Sequence, residues 1–243
     1  MRHRLIAMWS APRCRSTAFS RMMIERGDFL VVHEPFSHLM DFGETTIHGS
    51  QVRSERELID ALYKLSDSHN VFFKDTTDFH YPGLIADTSF LRDATHTFMI
   101  RDPRAAIASH YRLNPGLTCA EVGFARLREI YDSVTAASGR TAVVLDSDDL
   151  VADPAGLIAE YCRRTGIPFL PEALSWSPGM VDQWQRTSRW HVTASASKAF
   201  VGDRQSESPE LDQCSRLRDY LDHHLPHYQA LWARRLVRPT ART

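Results

Sequence analysis

Residues 5–19, LIAMWSAPRCRSTAF, change from an apolar segment to a basic one within a few positions. We interpret this run as a buried strand that turns through a loop into a helix, with Pro12 stiffening the turn. Arg13 and Arg15 supply two permanent cations, and Ser16-Thr17 falls where a helix cap and first turn are expected. Such a loop suits a phosphate-like dianion. The alternative is an ordinary capped helix with two solvated arginines.

Short apolar runs alternate with amphipathic runs along the rest of the chain, which is typical of an α/β fold with a mainly parallel central sheet and helices on both faces. The 243 residues, 43% of them hydrophobic, suffice for a substantial core. The predicted strands are residues 4–8, 29–33, 71–74, 95–100 and 141–145. The predicted helices are residues 17–26, 55–68, 83–93, 105–112, 120–137 and 155–165, with Gly27 ending the first.

The overall charge excludes some classes of partner. A formal net charge of −1 argues against broad capture of nucleic acid or of an anionic membrane. The first apolar stretch, residues 5–9, is too short for a signal-peptide core or a membrane span, which predicts a cytoplasmic protein. Its four widely spaced cysteines fit a reducing compartment and show no zinc spacing. The pair His223-His224, on an amphipathic C-terminal helix, is expected to be solvated.

A second motif lies in residues 98–111, FMIRDPRAAIASHY. An apolar strand brings Arg101 to its carboxyl end, Asp102 can cap the next helix, and Pro103 suits its first position. Ser109 then lies nearly two turns along the helix, so an anion bridged by Arg101 and Ser109 would lie beside the helix. Since ligands of such sheets bind outside the carboxyl strand ends, both anion sites would share one crevice. The two sites together suggest a nucleotide with phosphates at both ends of its ribose, whereas the segment alone could also be a charged helix start.

A third motif lies in residues 143–154, VVLDSDDLVADP. It predicts a strand, an acidic turn and a helix started by Pro154 with Asp153 as cap. Taken alone, this segment indicates architecture.

Together the three motifs resemble those of the cytosolic-type sulfotransferases that use 3′-phosphoadenosine 5′-phosphosulfate (PAPS), and of the small-molecule sulfotransferase-like proteins. Residues 12–17 are similar to the family's 5′-phosphosulfate loop, Arg101 with Ser109 matches its 3′-phosphate motif, and residues 147–154 resemble its acidic element. The resemblance implies a single P-loop-like, three-layer domain over residues 1–243. It also implies PAPS as donor, 3′-phosphoadenosine 5′-phosphate (PAP) as product, and no metal.

The chain departs from the family pattern at several positions. Arg13 stands where most members carry Lys, and Arg15 where they carry Gly. A guanidinium group still offers a planar, bidentate grip on phosphate and sulfuryl oxygens. Ser147 replaces a frequent aromatic residue, and the usual Lys-x-His appears as Lys74-Asp75-Thr76 without its histidine.

The missing histidine leaves the choice of proton acceptor open. Sulfuryl transfer to an alcohol needs an in-line approach, cations for the leaving phosphate and an acceptor for the hydroxyl proton. Glu34, just beyond the second predicted strand, is the expected base, because some sulfotransferases resemble this chain in using a glutamate there and a carboxylate between arginines stays ionised. His33, Asp75 and His80 are the alternatives. Each of these could instead be a turn or surface residue.

The C-terminal third gives weaker signals. Residues 176–209 lack periodicity and are expected to form a loop region that gates the donor or substrate. By loose resemblance Lys198 would contact the donor, although it could be an ordinary exposed lysine. Trp176, Trp184, Trp190 and Phe200 could line an acceptor pocket or belong to the core. The amphipathic segment 217–236 could pack on its own chain or on a partner, so a homodimer is possible.

The sequence therefore predicts a sulfotransferase acting on a hydroxyl, or less readily an amine, of a small-molecule acceptor that could be a specialised metabolite. Arg13 would stabilise the bridging oxygen of the donor. The 5′-phosphosulfate would be held by Arg13, Cys14, Arg15, Ser16 and Thr17. A P-loop kinase-like phosphotransferase is an alternative disfavoured by the absence of the sequence GxxxxGK[ST]. A non-catalytic nucleotide sensor is the other alternative, since binding could survive without the usual Lys and His.

Overall fold

The computed structural model describes residues 3–202 and 209–237. Within them lie the strands β1 (Leu5–Ser10), β2 (Leu30–His33), β3 (Thr45–Ile47), β4 (Ser50–Val52), β5 (Val71–Thr76), β6 (Thr95–Ile100) and β7 (Val143–Asp146). Five of them form one parallel sheet in the order β2-β5-β1-β6-β7, and β3 and β4 form a separate antiparallel hairpin. The predicted α/β class with a parallel sheet is confirmed.

Helices flank this sheet. They are α1 (Ser16–Arg26), α2 (Pro35–Phe42), α3 (Glu55–Ser66), α4 (Pro82–Ala86), α5 (Thr88–Asp93), α6 (Pro103–Leu113), α7 (Phe124–Ser138), α8 (Ser147–Ala152), α9 (Pro154–Thr165), α10 (Val192–Ala196), α11 (Pro209–Gln213) and α12 (Ser215–Trp232). The 3₁₀ helices are Ala120–Val122, Pro171–Leu174 and Asp182–Trp190. The predicted end of α1 at Gly27 is confirmed, because Gly27 takes the left-handed conformation with φ 71°.

The predicted helix over residues 120–137 is divided at Gly123, which has φ 84°. A Cβ at this position would lie 2.9 Å from Pro12 Cδ and from Thr77 Oγ1, so only glycine lets the start of α7 approach the loop after β1. The predicted helix over 83–93 is likewise two short helices, separated at Asp87. Helix α2 and the β3–β4 hairpin were not predicted.

Strand β1 is the centre of the sheet, and all six of its residues are buried. Trp9 on this strand packs against Phe36, Phe73 and Tyr81 on one side of the core. Because the five strands are parallel, their carboxyl ends lie along one rim, and the loops after all of them face the same side of the molecule.

The C-terminal helix α12 packs on α6 and α7 of its own chain and buries Leu217 and Leu231. The prediction that both His223 and His224 are solvated is wrong for His224, which is buried. Its ring accepts a hydrogen bond from the Ala125 N–H and contacts the Cys119 carbonyl at 2.7 Å. The amphipathic helix turns His224 inward and leaves His223 exposed. All four cysteines of the chain are free thiols.

Candidate active site

The strand order divides the rim into two halves. The segments after β1 and β6 carry the basic motifs, and we call Arg13, Arg15, Arg101 and Ser109 the arginine half. The segments that follow β2 and β5 carry acidic residues, and β5 itself carries one lysine. We call Glu34, Asp41, Lys74 and Asp78, together with the imidazole groups of His33 and His191 beside Glu34, the carboxylate half. Both halves line one cavity of about 840 Å³.

Backbone strain is concentrated at this cavity. The non-glycine residues with positive φ in the described part of the chain are Arg13 (66°), Arg15 (62°), Glu34 (47°) and His48 (45°). The first three of them line the cavity. Residues other than glycine rarely adopt this backbone conformation, and those that do cluster at functional sites.

Helix α1 begins at Ser16, and no side chain caps it. The expectation that Ser16-Thr17 supplies the cap is therefore wrong, because Arg15 occupies the cap position in a left-handed conformation. The Ser16 hydroxyl lies 2.7 Å from that of Ser10, and both Ser16 and Thr17 line the cavity. The N–H groups at the start of a helix suit an anion.

The two predicted anion motifs adjoin each other. Arg13 Nε donates to Ser109 Oγ at 3.2 Å, and Arg101 Nη1 donates to the Arg13 carbonyl at 3.2 Å. Arg13 Nη1 also donates to the Trp190 carbonyl at 2.9 Å. One guanidinium group thus joins the loop after β1 to helix α6 and to the C-terminal segment.

Helix α6 starts as predicted, with Pro103 in its first turn and the Asp102 carboxylate accepting from the N–H groups of Arg104 and Ala105. Asp153 caps α9 as predicted and accepts from the Gly156 N–H. The third motif meets the first, because Arg15 Nη1 lies 2.5 Å from Asp148 Oδ1 and 3.2 Å from Ser147 Oγ.

The cavity gathers most of the predicted site residues. Those that line it are Arg13, Arg15, Ser16, Thr17, Glu34, Arg101 and Ser109. Cys14 does not, because its side chain is buried in the core, where burial raises the pKa of the thiol to about 12. Lys198 is exposed outside the lining, and its carbonyl accepts from the Trp176 N–H.

In the carboxylate half, Glu34 forms an ion pair with Lys74. Both side chains are buried, at 11% and 2% exposure. Burial alone would raise the pKa of Glu34, but the Lys74 ammonium reverses this effect and holds the pKa below its usual range. The sequence predicted that arginines keep Glu34 ionised, and this is wrong. The group that does so is Lys74, the lysine of the altered Lys-x-His segment.

All three alternative bases lie outside the cavity lining, and two of them have other partners. Asp75 is buried and accepts from the N–H groups of Phe36 and Ser37, so it anchors the start of α2. Burial raises the pKa of Asp75 to about 7. His80 is exposed and lies 3.4 Å from a carboxylate oxygen of Glu129.

The third alternative, His33, belongs to a buried pair of imidazoles that sequence reasoning missed. His33 Nε2 lies 3.1 Å from His191 Nε2 and 3.6 Å from Glu34 Oε2. His191 lines the cavity, and its Nδ1 lies 3.4 Å from Thr17 Oγ1. Nothing in the local sequence marks His191, because it follows the aperiodic stretch that folds as the 3₁₀ helix Asp182–Trp190.

Part of the expected gating region lies over the cavity. Residues 187–202 supply much of its wall, including Trp190 and Phe200, whereas Trp176 and Trp184 are buried and are absent from the lining. Residues 203–208 of the expected region lie outside the described residues.

Two clusters in the described part of the chain bring three ligand-type side chains within 4.8 Å of one another. They are His33-Glu34-His191 and Cys119-His223-His224. In the first, Lys74 takes one Glu34 oxygen and the two imidazoles contact each other. In the second, a backbone N–H and a backbone carbonyl already engage the His224 ring. Neither donor set therefore calls for a metal.

The fold is a parallel α/β sheet with a cavity at the carboxyl ends of its strands, and the family comparison gives its class. The sulfotransferase domain family matches residues 3–235, so this chain belongs to that family. The sulfotransferase domain from the curacin biosynthetic pathway is similar at a TM-score of 0.51 and 14% identity, covering 95% of this chain and 96% of that one. A sulfotransferase from Alicyclobacillus acidocaldarius is similar at a TM-score of 0.53 and 13% identity, covering 97% and 98%. These likenesses establish the P-loop-like fold.

Curated relatives come from Arabidopsis thaliana. Branched-chain-amino-acid aminotransferase-like protein 2 is 24% identical over 97% of this chain and 44% of its own length. Branched-chain-amino-acid aminotransferase-like protein 1 is 26% identical over 93% of this chain and 41% of its own length. The chain thus spans less than half of these relatives. In the described residues, every helix is too short or too polar to cross a bilayer.

Proposed function

We propose that this domain transfers the sulfuryl group of PAPS to a hydroxyl, or less readily an amine, of a small-molecule acceptor. The observation that carries the proposal is the junction of the two anion motifs, in which Arg101 contacts the Arg13 carbonyl and Arg13 contacts Ser109 at the wall of one cavity. A nucleotide with phosphate groups on both the 3′ and 5′ positions needs two anion sites of this kind close together.

The donor sites follow from that junction. The 5′-phosphosulfate would lie at the start of α1, against Arg13, Arg15, Ser16 and Thr17. Its 3′-phosphate would lie against Arg101 and Ser109, beside α6. Arg13 would then stabilise the charge that develops on the bridging oxygen as the sulfuryl group leaves. Cys14 could contribute its backbone, and Lys198 would have to move to reach the donor.

The hydroxyl proton needs an acceptor in the carboxylate half. Glu34 is the cavity-lining carboxylate expected for this role, but the Lys74 ion pair makes it a weak base. Burial also lowers the pKa of its neighbour His33 well below the ordinary histidine value, so that ring is neutral at physiological pH. We propose that the proton leaves through the imidazole groups beside Glu34, with the carboxylate stabilising the positive charge.

The test is PAP release from PAPS in the presence of primary alcohols, sugars, sterols, phenols and amino alcohols. Mass spectrometry would detect an acceptor that gains one sulfuryl group. PAP binding without transfer to any of these classes would instead indicate a nucleotide sensor. Binding of ATP without binding of PAP would indicate a kinase-like protein.

A further inference from the structure

The pair His33–His191 lies between two cavities. His191 lines the cavity at the rim, while His33 lines a second pocket of about 370 Å³ beside the edge strand β2. The two rings meet through their Nε2 atoms at 3.1 Å. The pair therefore joins the wall of the proposed reaction site to the wall of a second pocket.

The outer ring nitrogens of the pair face different surroundings. His191 Nδ1 lies on the side of Thr17, a residue of the cavity wall, at 3.4 Å from its hydroxyl oxygen. His33 is buried at 5% exposure, and its Nδ1 is shielded from solvent and has no hydrogen-bond partner among the described residues. A buried N–H or lone pair without a partner is costly, so a solvent contact in the second pocket would satisfy it.

We propose that His191 takes the acceptor's hydroxyl proton and that His33 passes it on to solvent in the second pocket. This inference rests on the proposed sulfuryl transfer and adds a catalytic residue and an exit path to it. Glu34, at 3.6 Å from His33 Nε2, stabilises the positive charge while the proton passes.

The step balances without any further reactant. The acceptor oxygen bonds to sulfur as the bond between sulfur and the bridging oxygen of PAPS breaks, and PAP leaves with that electron pair. The hydroxyl proton moves to His191 Nδ1, the Nε2 proton of His191 moves to His33 Nε2, and the Nδ1 proton of His33 moves to solvent. Both rings end neutral and regain their starting tautomers by exchange with solvent.

The surroundings of the pair keep it neutral at rest. Burial lowers the pKa of His191 to about 4. The charged and titratable groups that face the pair are Glu34, Lys74, Arg13 and His38. Three of these groups are or can become cations, and the single carboxylate is already paired with Lys74.

The test uses the full chain and the acceptor that wild type sulfurylates fastest in the alcohol and phenol screen. We expect His191→Ala to lower kcat by about 100-fold or more, the size of a lost general base. PAP binding in calorimetry should remain. Imidazole added to the buffer should restore part of the activity, which a merely structural role would not allow. Full activity in His191→Ala, or a loss that imidazole does not restore in a folded, PAP-binding variant, would overturn the proposal.

The exit path is tested separately with His33→Gln, which keeps a hydrogen-bonding side chain but cannot relay a proton. We expect a lower kcat, an unchanged KM for the acceptor and a larger solvent deuterium isotope effect. If His191→Ala does not fold, His33→Gln decides the proposal, and an unchanged kcat and isotope effect would overturn it. His48→Asn is the matched control, since His48 lines the second pocket but is exposed, and Asn tolerates its left-handed backbone.

Failure of the proposed function gives a different result. A wild-type chain that binds no PAP, or transfers the sulfuryl group to no acceptor, overturns sulfuryl transfer and the relay with it. A wild-type chain that transfers the group while His191→Ala and His33→Gln do so equally well overturns the relay alone.

Discussion

The arginine half and the carboxylate half of the rim are built on different principles. The arginine half uses guanidinium groups that stay charged at every physiological pH, held by backbone and hydroxyl contacts such as Arg13 Nε to Ser109 Oγ at 3.2 Å. The carboxylate half uses titratable groups whose protonation depends on burial and on each other, as in Glu34 with Lys74 and His33 with His191. Fixed charge suits binding a nucleotide, and adjustable charge suits moving a proton.

The largest effect on activity is expected at Arg13, in the arginine half. Arg13→Ala should lower kcat by about 1000-fold, because one preorganised donor to developing charge is lost in a shielded cavity. Thermal unfolding should show that the chain remains folded. The control is Arg104→Ala on the same rim, where Arg104 is half-exposed and pairs with Asp212 away from the cavity lining. Equal activity of the Arg13 and Arg104 variants would remove Arg13 from the mechanism.

Glu34→Gln should show that the carboxylate half contributes to the stability of the fold as well as to the reaction. The change leaves the Lys74 ammonium buried without its partner, which should cost about 3 kcal/mol in the free energy of unfolding. Urea denaturation measures this loss. The double variant Glu34→Gln/Lys74→Met should recover most of the stability but none of the activity, and recovery of both would show that the pair is only structural.

Arg101→Ala should affect binding and spare stability. Loss of the proposed charge-assisted contact to the 3′-phosphate should weaken PAP binding by about tenfold or more and leave the affinity for 5′-AMP nearly unchanged. Calorimetry with both nucleotides measures the difference. An equal loss for PAP and AMP would mean that Arg101 supports the loop through the Arg13 carbonyl and does not read the 3′-phosphate.

The pH dependence of kcat should come from the carboxylate half. Burial lowers the pKa of His191 to about 4, so the ring remains a neutral proton acceptor until the pH falls toward that value. We expect kcat to hold its plateau down to about pH 5, whereas an ordinary histidine base would lose activity near pH 6.5. Stopped assays, with circular dichroism at each pH as the folding control, check this. A midpoint near the ordinary histidine value would exclude His191 as the base in its buried state.

The two halves also differ in how far the sequence predicts them. The arginine half is encoded in contiguous strand–loop–helix segments, so the residues around Arg13 and those from Arg101 to Ser109 could be placed at one rim before any coordinates. The carboxylate half joins residues that are far apart in the chain, such as His33 and His191, which are 158 positions apart. The sequence also did not predict Lys74 as the partner of Glu34, because Lys74 lies within a strand whose six residues are all buried.

Some predictions of local structure were wrong because tertiary packing overrides the local preference of the sequence. The backbone of Arg15 takes the cap position that Ser16 was expected to fill, because the loop must turn sharply beneath the cavity. His224 is buried because α12 packs on α7, which the sequence left open between the same chain and a partner. Whether the chain forms a homodimer stays a prediction.

The most direct measurement is calorimetric titration of the wild-type chain with PAP, 5′-AMP and ATP under the same conditions. The two proposed anion sites predict that PAP binds at least about tenfold more tightly than AMP, and more tightly than ATP, because only PAP carries phosphate on both sides of the ribose. Equal affinity for PAP and AMP, or a preference for ATP, would contradict the account.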